Sequence, residues 1–347
     1  MRARVEAAAI TAGAIALALA IFALLLLANR LDPLAVYAVL WLGGFGTPFS
    51  LQATLTQAAP LMLTALCTAI PARAGLLVIG GEGALAAGGL FAVLAGVAAP
   101  ALPPALGAIV VCAAGAAAGA VWIAMAGLLK HLRGVNETIS TLLLNYIAIA
   151  LLNHLVSGPM RDYAVSLKPT SWSIPQAYMV GTLPGIGVHW GLAFGAIACA
   201  IAFAVLRYTV FGFAVGVVGG NPRAAQLVGL PIGRLTLLAC ALGGAAAGLA
   251  GAVEIVAVHG AASNSLAVGF GYGGILVAFL ARQNPLAIVF FAFLVGGISA
   301  SGGLMQRRFD MPDAATQVLQ GIIFICVLAA NTLYGRFRLF REPAPAA

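Results

Sequence analysis

Apolar residues run along this chain in unbroken stretches rather than at the two-residue alternation of half-buried strands. Ten stretches stand out: Ala7 to Ala28, Leu51 to Ala72, Leu76 to Ala98, Ala105 to Leu129, Thr138 to Val156, Trp190 to Leu206, Leu235 to Val258, Leu266 to Ala281, Leu286 to Gly303 and Thr316 to Leu333. A helix of about 20 residues crosses a hydrocarbon core of about 30 Å, so most of these runs are long enough to span a bilayer. The first follows Arg2 and Arg4 but exceeds the apolar core of a secretory signal, which has about 7–15 residues. Leu266 to Ala281 is short and glycine-rich, and Leu76 to Ala98 opens on Gly80-Gly81-Glu82-Gly83. These two are the candidates for broken or re-entrant segments.

The pattern predicts an all-α, polytopic inner-membrane helical bundle with about ten membrane segments, forming one transmembrane domain over residues 1–347. Composition agrees: 63% of residues are hydrophobic, 7% are charged, and the mean hydropathy is +1.08. Unbroken runs exclude an outer-membrane barrel, whose strands alternate. With ten crossings and a cytoplasmic N-terminus, 12 of the 17 Lys and Arg residues fall on the cytoplasmic side, including Arg336, Arg338 and Arg341 near the C-terminus. Both termini are therefore expected in the cytoplasm. The net charge of +8 is spread singly or in pairs between apolar runs, which fits loop anchors at an anionic leaflet and not a nucleic-acid surface. Five isolated cysteines lack metal-ligand or redox spacing.

Two polar stretches are long. Residues 157–189 form an expected external loop with four prolines, Trp172 and Tyr178. Residues 208–233 form a cytoplasmic loop in which the turn Gly219-Gly220-Asn221-Pro222 precedes a short helix-competent run, Arg223 to Leu227. This run is either a docking surface or a simple connection. Small residues four apart, Gly115 and Gly119, Gly244 and Gly248, and Ala247 and Gly251, predict close helix packing.

Carboxylates at membrane depth carry more information, because each costs several kcal/mol unless it meets a cavity or a partner. Glu82 and Glu254 are the two, with His259 five residues beyond the second. Each either lines a substrate path or makes an interhelical hydrogen bond. Asn136-Glu137-Thr138 reads as the capped start of a helix. Deeper in that helix, Asn145 and Tyr146 either face substrate or bond a neighbouring helix. No phosphate loop, zinc pair or nucleophile elbow is present in the sequence, so the chain carries no machinery for hydrolysing ATP.

Several motifs in order carry a resemblance. They are Arg73-Ala74-Gly75-Leu76 leading to Ile79-Gly80-Gly81-Glu82-Gly83, Gly134 to Thr141 with Leu144 to Ala148, and Gly158-Pro159. Gly219 to Ala225 with Gly229, Ala250 to Glu254 with His259-Gly260, and Arg282-Gln283-Asn284-Pro285-Leu286 complete the set. In these the chain resembles the permease subunits of bacterial ABC importers for simple sugars and nucleosides, within the branched-chain amino acid and ribose permease group. The resemblance implies an importer of a small polar solute, with nucleosides first and simple sugars second. It implies a substrate pathway with Glu82, Asn145, Tyr146 and Glu254 as its candidates. An ATPase-docking element follows at Asn221, Pro222, Arg223, Ala224, Ala225, Gln226 and Leu227. Expected partners are a cytoplasmic ABC ATPase that binds the ATP and Mg, a second homologous permease in a heterodimer, and a periplasmic or lipid-anchored solute-binding protein facing the external loop. No cofactor, catalytic residue or metal is expected in this chain. The sequence departs from the family pattern at Val78, where asparagine is usual, at Gly216, where arginine usually precedes the docking helix, and at Gly273, where a polar residue is common. The alternative from a different class is a proton-coupled secondary transporter with its proton on Glu82 or Glu254.

Overall fold

A computed structural model describes residues 2–164, 168–312 and 314–332. The C-terminal Arg336, Arg338 and Arg341 lie outside the described residues. In chain order the helices are α1 (Arg2–Ala28), α2 (Pro33–Phe45), α3 (Pro48–Ala72), α4 (Gly81–Ala98), α5 (Pro104–Arg133), α6 (Glu137–Ser157), α7 (Gly191–Tyr208), α8 (Val210–Gly220), α9 (Pro222–Leu227), α10 (Ile232–Glu254), α11 (Phe270–Leu280), α12 (Pro285–Phe309) and α13 (Ala314–Asn331). Each of the ten apolar stretches corresponds to one of these helices. Among the described residues, eight helices are long and apolar enough to cross a membrane; α2, α8, α11 and α13 are shorter apolar helices. The segment opening at Leu76 is broken as its glycines suggest: α4 begins only at Gly81, after a non-helical approach over Leu76–Gly80.

Three helices lie outside the ten stretches: α9, expected from the run Arg223 to Leu227, and the unexpected α2 and α8. The 13-residue α2 starts where the Asp32 carboxylate accepts the amide of Leu34 at 3.0 Å, with Pro33 pre-set for the first turn. The 11-residue α8 is capped by the Thr209 hydroxyl, which accepts from the Gly212 amide. Both fall below the length at which an apolar run declares itself as a crossing.

The chain divides into two compact units. The first comprises residues 1–51 and 297–347. In it α1 packs along α13. The Tyr37 hydroxyl donates to the carbonyl of Leu19 at 2.5 Å, and Gln320 donates to the Ser299 hydroxyl at 2.9 Å.

The second unit, residues 52–296, is centred on α4, α5 and α10. These three helices touch backbone to backbone. A Cβ placed on Gly88 would lie 2.3 Å from the Gly248 carbonyl oxygen, one on Gly119 2.3 Å from that of Gly244, and one on Gly251 2.0 Å from that of Leu85. The small-residue spacing read from the sequence is thus an interhelical seam, and packing of this closeness supplies the cohesion that lipid-compatible surfaces lack. Below it lies a core that includes Leu63, Leu85, Val111, Leu152, Val253 and Ile255.

The connection between α6 and α7 is pinned at several points. The Ser171 and Ile174 amides donate to the carbonyls of Ala262 and Gly260, and Val180 to that of Val256. Tyr178 is buried, its ring against Gly107 and its hydroxyl donating to the Ala99 carbonyl while accepting from the Leu102 amide at 3.1 Å. At the other end of α11, Arg282 and Gln283 both adopt positive φ (50° and 59°), which turns the chain sharply into α12.

Candidate functional site

The polar residues flagged along α6 share one purpose in the structure. Residues 137, 138, 141 and 145 lie within an arc of about 100° on that helix, facing the non-helical stretch Leu77–Gly80 that precedes α4. The Glu137 carboxylate accepts from the Leu77 amide at 3.4 Å, and the Thr138 hydroxyl donates to the Leu77 carbonyl at 2.9 Å. The Thr141 hydroxyl accepts from the Ile79 amide at 3.2 Å, and the Asn145 side-chain amide donates to the Ile79 carbonyl at 3.0 Å. From α3, the Thr68 hydroxyl donates to the Val78 carbonyl at 3.1 Å. One helix face therefore does for this stretch what a neighbouring strand does in a sheet. Without such partners each backbone group would cost several kcal/mol in a water-free interior.

The stripe is itself held in place. Asn136 caps α6, accepting from the amides of Thr138 and Ile139. Glu137 pairs with Lys130 at 2.7 Å, an ion pair in the last turn of α5. The Trp122 indole donates to the Leu144 carbonyl at 3.2 Å.

Asn145 reaches further. Its carbonyl oxygen also accepts the amide of Gly83 at 2.5 Å, so one fully buried side chain joins α6 to both the non-helical stretch and the first turn of α4. Glu82 sits in that same turn, 1% exposed, and both its oxygens are engaged. One accepts from Gly269 at 2.7 Å and the other from Gly271 at 2.5 Å, where α11 begins. A carboxylate at this position caps the positive end of α11 across 187 residues of sequence. Gly271 fits because its missing Cβ would fall 2.1 Å from the Glu82 amide nitrogen.

Tyr146 lies beside Asn145 but turns outward, 61% exposed. Tyr272 on α11 is 43% exposed and lies close enough to Asn145, Glu82 and Tyr146 to interact electrostatically with all three. The structure thus brings Glu82, Asn145 and Tyr146 together and adds Tyr272, along with Thr68, Thr138 and Thr141. Tyrosine and threonine are ordinary in membrane helices, and this is why the sequence alone does not single them out. Glu254 belongs to a separate cluster at the end of α10, where its carboxylate lies 3.6 Å from His259 across a π-helical turn, Ile255–His259. The three departures from the family pattern are accommodated: Val78 buries its apolar side chain, Gly273 is buried within α11, and Gly216 faces open space.

The residues Asn221 to Leu227 form the short helix α9. The Asn221 side chain accepts from the amides of Arg223 and Ala224 at 3.0 and 3.1 Å, and Pro222 occupies the first turn. Ala225 is buried, while Arg223, Gln226 and Leu227 are exposed, Leu227 at 89%.

Helices of such length and apolarity, sealed glycine to glycine around a buried polar stripe, place the chain among multi-pass membrane transport proteins. It belongs to the family of permease components of branched-chain amino acid transport systems, whose profile matches residues 50–328. It is 30% identical to the glucose ABC transporter permease protein TsgB13 of Haloferax volcanii over 93% of this chain and 87% of that one. It is likewise 30% identical to the guanosine ABC transporter permease protein NupP of Bacillus subtilis, over 92% of both chains. A second guanosine permease protein of Bacillus subtilis, NupQ, is 25% identical over 82% of this chain and 91% of that one. The chain is accordingly an ABC transporter permease of the branch that holds nucleoside and sugar permeases.

Proposed function

We propose that this chain is the transmembrane subunit of an ATP-driven importer of nucleosides. The observation that carries the reading is the identity to a guanosine permease over nearly the whole of both chains. The geometry around Asn145 supports it: Tyr146 and Tyr272 offer exposed aromatic faces on which a nucleobase can stack, beside the buried Asn145 and Glu82. In this reading Glu82 and Asn145 hold the wall of the pathway in shape, Tyr146 meets the solute, and Glu254 with His259 forms a polar station nearer the outside. The equally similar glucose permease supports a simple sugar as the second reading, since sugars also stack on aromatic faces.

ATP and Mg belong to a partner ATPase, which docks on Asn221, Pro222, Arg223, Ala224, Ala225, Gln226 and Leu227, with the exposed Leu227 and Arg223 as its main contacts. Both termini and the loop over residues 208–233 face the cytoplasm, and residues 157–189 meet a solute-binding protein. The two guanosine permeases of one organism support pairing of this chain with a second, related permease.

The test is uptake of radiolabelled guanosine and glucose into proteoliposomes holding this chain with its partner subunits. ATP-dependent guanosine uptake that resists a proton uncoupler is the expected result. Uptake of glucose alone moves the assignment to sugars. Uptake by this chain without an ATPase, abolished by the uncoupler, overturns the ABC reading in favour of a proton-coupled carrier on Glu82 or Glu254.

A further inference from the structure

The C-terminus of α8, which leads directly into the docking helix, rests on the turn that closes α3. An added Cβ on Gly219 would lie 2.1 Å from the Arg73 carbonyl oxygen and 2.9 Å from the Gly75 amide nitrogen, so the two backbones are in direct contact. That turn is closed by local hydrogen bonds. Gly75 takes a left-handed φ of 75°, its amide donates to the Ala72 carbonyl, and the Leu76 amide reaches back to Pro71 at 3.2 Å. Beyond Gly75 the chain is non-helical through Gly80 and enters α4 at Gly81, one residue before Glu82.

This non-helical stretch joins the turn to α4 through only the five residues Leu76 to Gly80, so a displacement of the turn has a short covalent path to α4. Here it is also tied to α6 through Glu137, Thr138, Thr141 and Asn145, and its far end carries the Glu82 carboxylate that caps α11. A displacement of α9 and α8 therefore reaches the Arg73–Gly75 turn by backbone contact. From there it reaches Asn145 and Glu82 through Leu76–Gly80 and its hydrogen bonds to α6, and Tyr272 through α11.

We infer that Gly219 and the stretch Leu76–Gly80 are positioning elements that couple the docking helix to the candidate solute site. They form a mechanical link distinct from the docking contacts themselves. The inference rests on the docking role of Asn221–Leu227.

The experiment compares Gly219→Ala, the near-isosteric double variant Thr138→Val/Thr141→Val, and Arg223→Glu in the complete complex reconstituted with its ATPase. The readouts are ATPase co-purification, ATP hydrolysis and uptake of radiolabelled guanosine. Gly219→Ala and the threonine variant are expected to assemble and hydrolyse ATP while guanosine uptake per ATP falls about tenfold, within the range that such contact networks carry. Gly216→Ala, on the same helix but facing open space, is expected to transport normally. Normal uptake per ATP in both Gly219→Ala and the threonine variant overturns the inference. Loss of both proteins from the membrane overturns it too, because the contacts would then be holding the fold. Unchanged ATPase co-purification in Arg223→Glu overturns the docking reading and the inference with it. Lost assembly in Arg223→Glu beside normal transport in the other two overturns the inference alone.

Discussion

Asn145 illustrates how a single side chain can carry more than its own hydrogen bonds. It uses both ends of its amide, one on the Ile79 carbonyl and one on the Gly83 amide, at a fully buried position. Asn145→Leu leaves two backbone groups unpaired, each at a cost of about 1–3 kcal/mol. The expected outcome is a protein that inserts but melts well below the parent in detergent, as read by thermal unfolding. A polar residue in an apolar run is legible in a sequence, and Glu82, Asn145 and Glu254 all stand out on that ground. What each one binds is not legible. The distant backbone partners of Asn145 and Glu137 lie 60 to 66 residues earlier, and those of Glu82 lie 187 and 189 residues later. Much of the recognition is of backbone, which every residue has and no sequence motif marks.

At the scale of elements, the long helices are readable because a bilayer sets their length, and the glycine spacing on α5 and α10 is readable because close approach requires it. Gly119→Val tests that seam. The added side chain would meet the Gly244 carbonyl where even a Cβ comes within 2.3 Å. Such overpacking costs about 1–3 kcal/mol or more in a well-packed core. Membrane yield and monodispersity are expected to fall, whereas Gly216→Val, in open space, is expected to leave both unchanged apart from a modest β-branched helix penalty. The helices α2 and α8 lie outside what run length can show. Their beginnings are written in Asp32-Pro33 and Thr209 instead, as capping residues rather than as hydrophobic stretches.

For the whole molecule, stability should depend on pH through His189, which lies just before α7. Burial pushes its imidazole below the ordinary value of 6.5, and Nδ1 accepts from the Gly191 amide at 3.1 Å, so the folded protein holds the ring neutral. As pH falls below 6.5, the unfolded chain binds a proton that the folded chain refuses, and folding stability declines. His189→Asn keeps an acceptor for Gly191 and removes the titration. Melting temperatures at about pH 7.5 and about pH 5.5 are expected to differ less in the variant than in the parent.

The side-chain ladder on α6 also has a meaning for biosynthesis. The stretch Leu77–Gly80 emerges from the ribosome about 60 residues before the groups that satisfy its backbone. At about 5–20 residues per second it waits roughly 3–12 s for them. During that interval it cannot enter lipid without exposed peptide groups. The insertion machinery must therefore shelter the end of α3 and the start of α4 until α6 arrives, and these helices enter the membrane as a group rather than one after another.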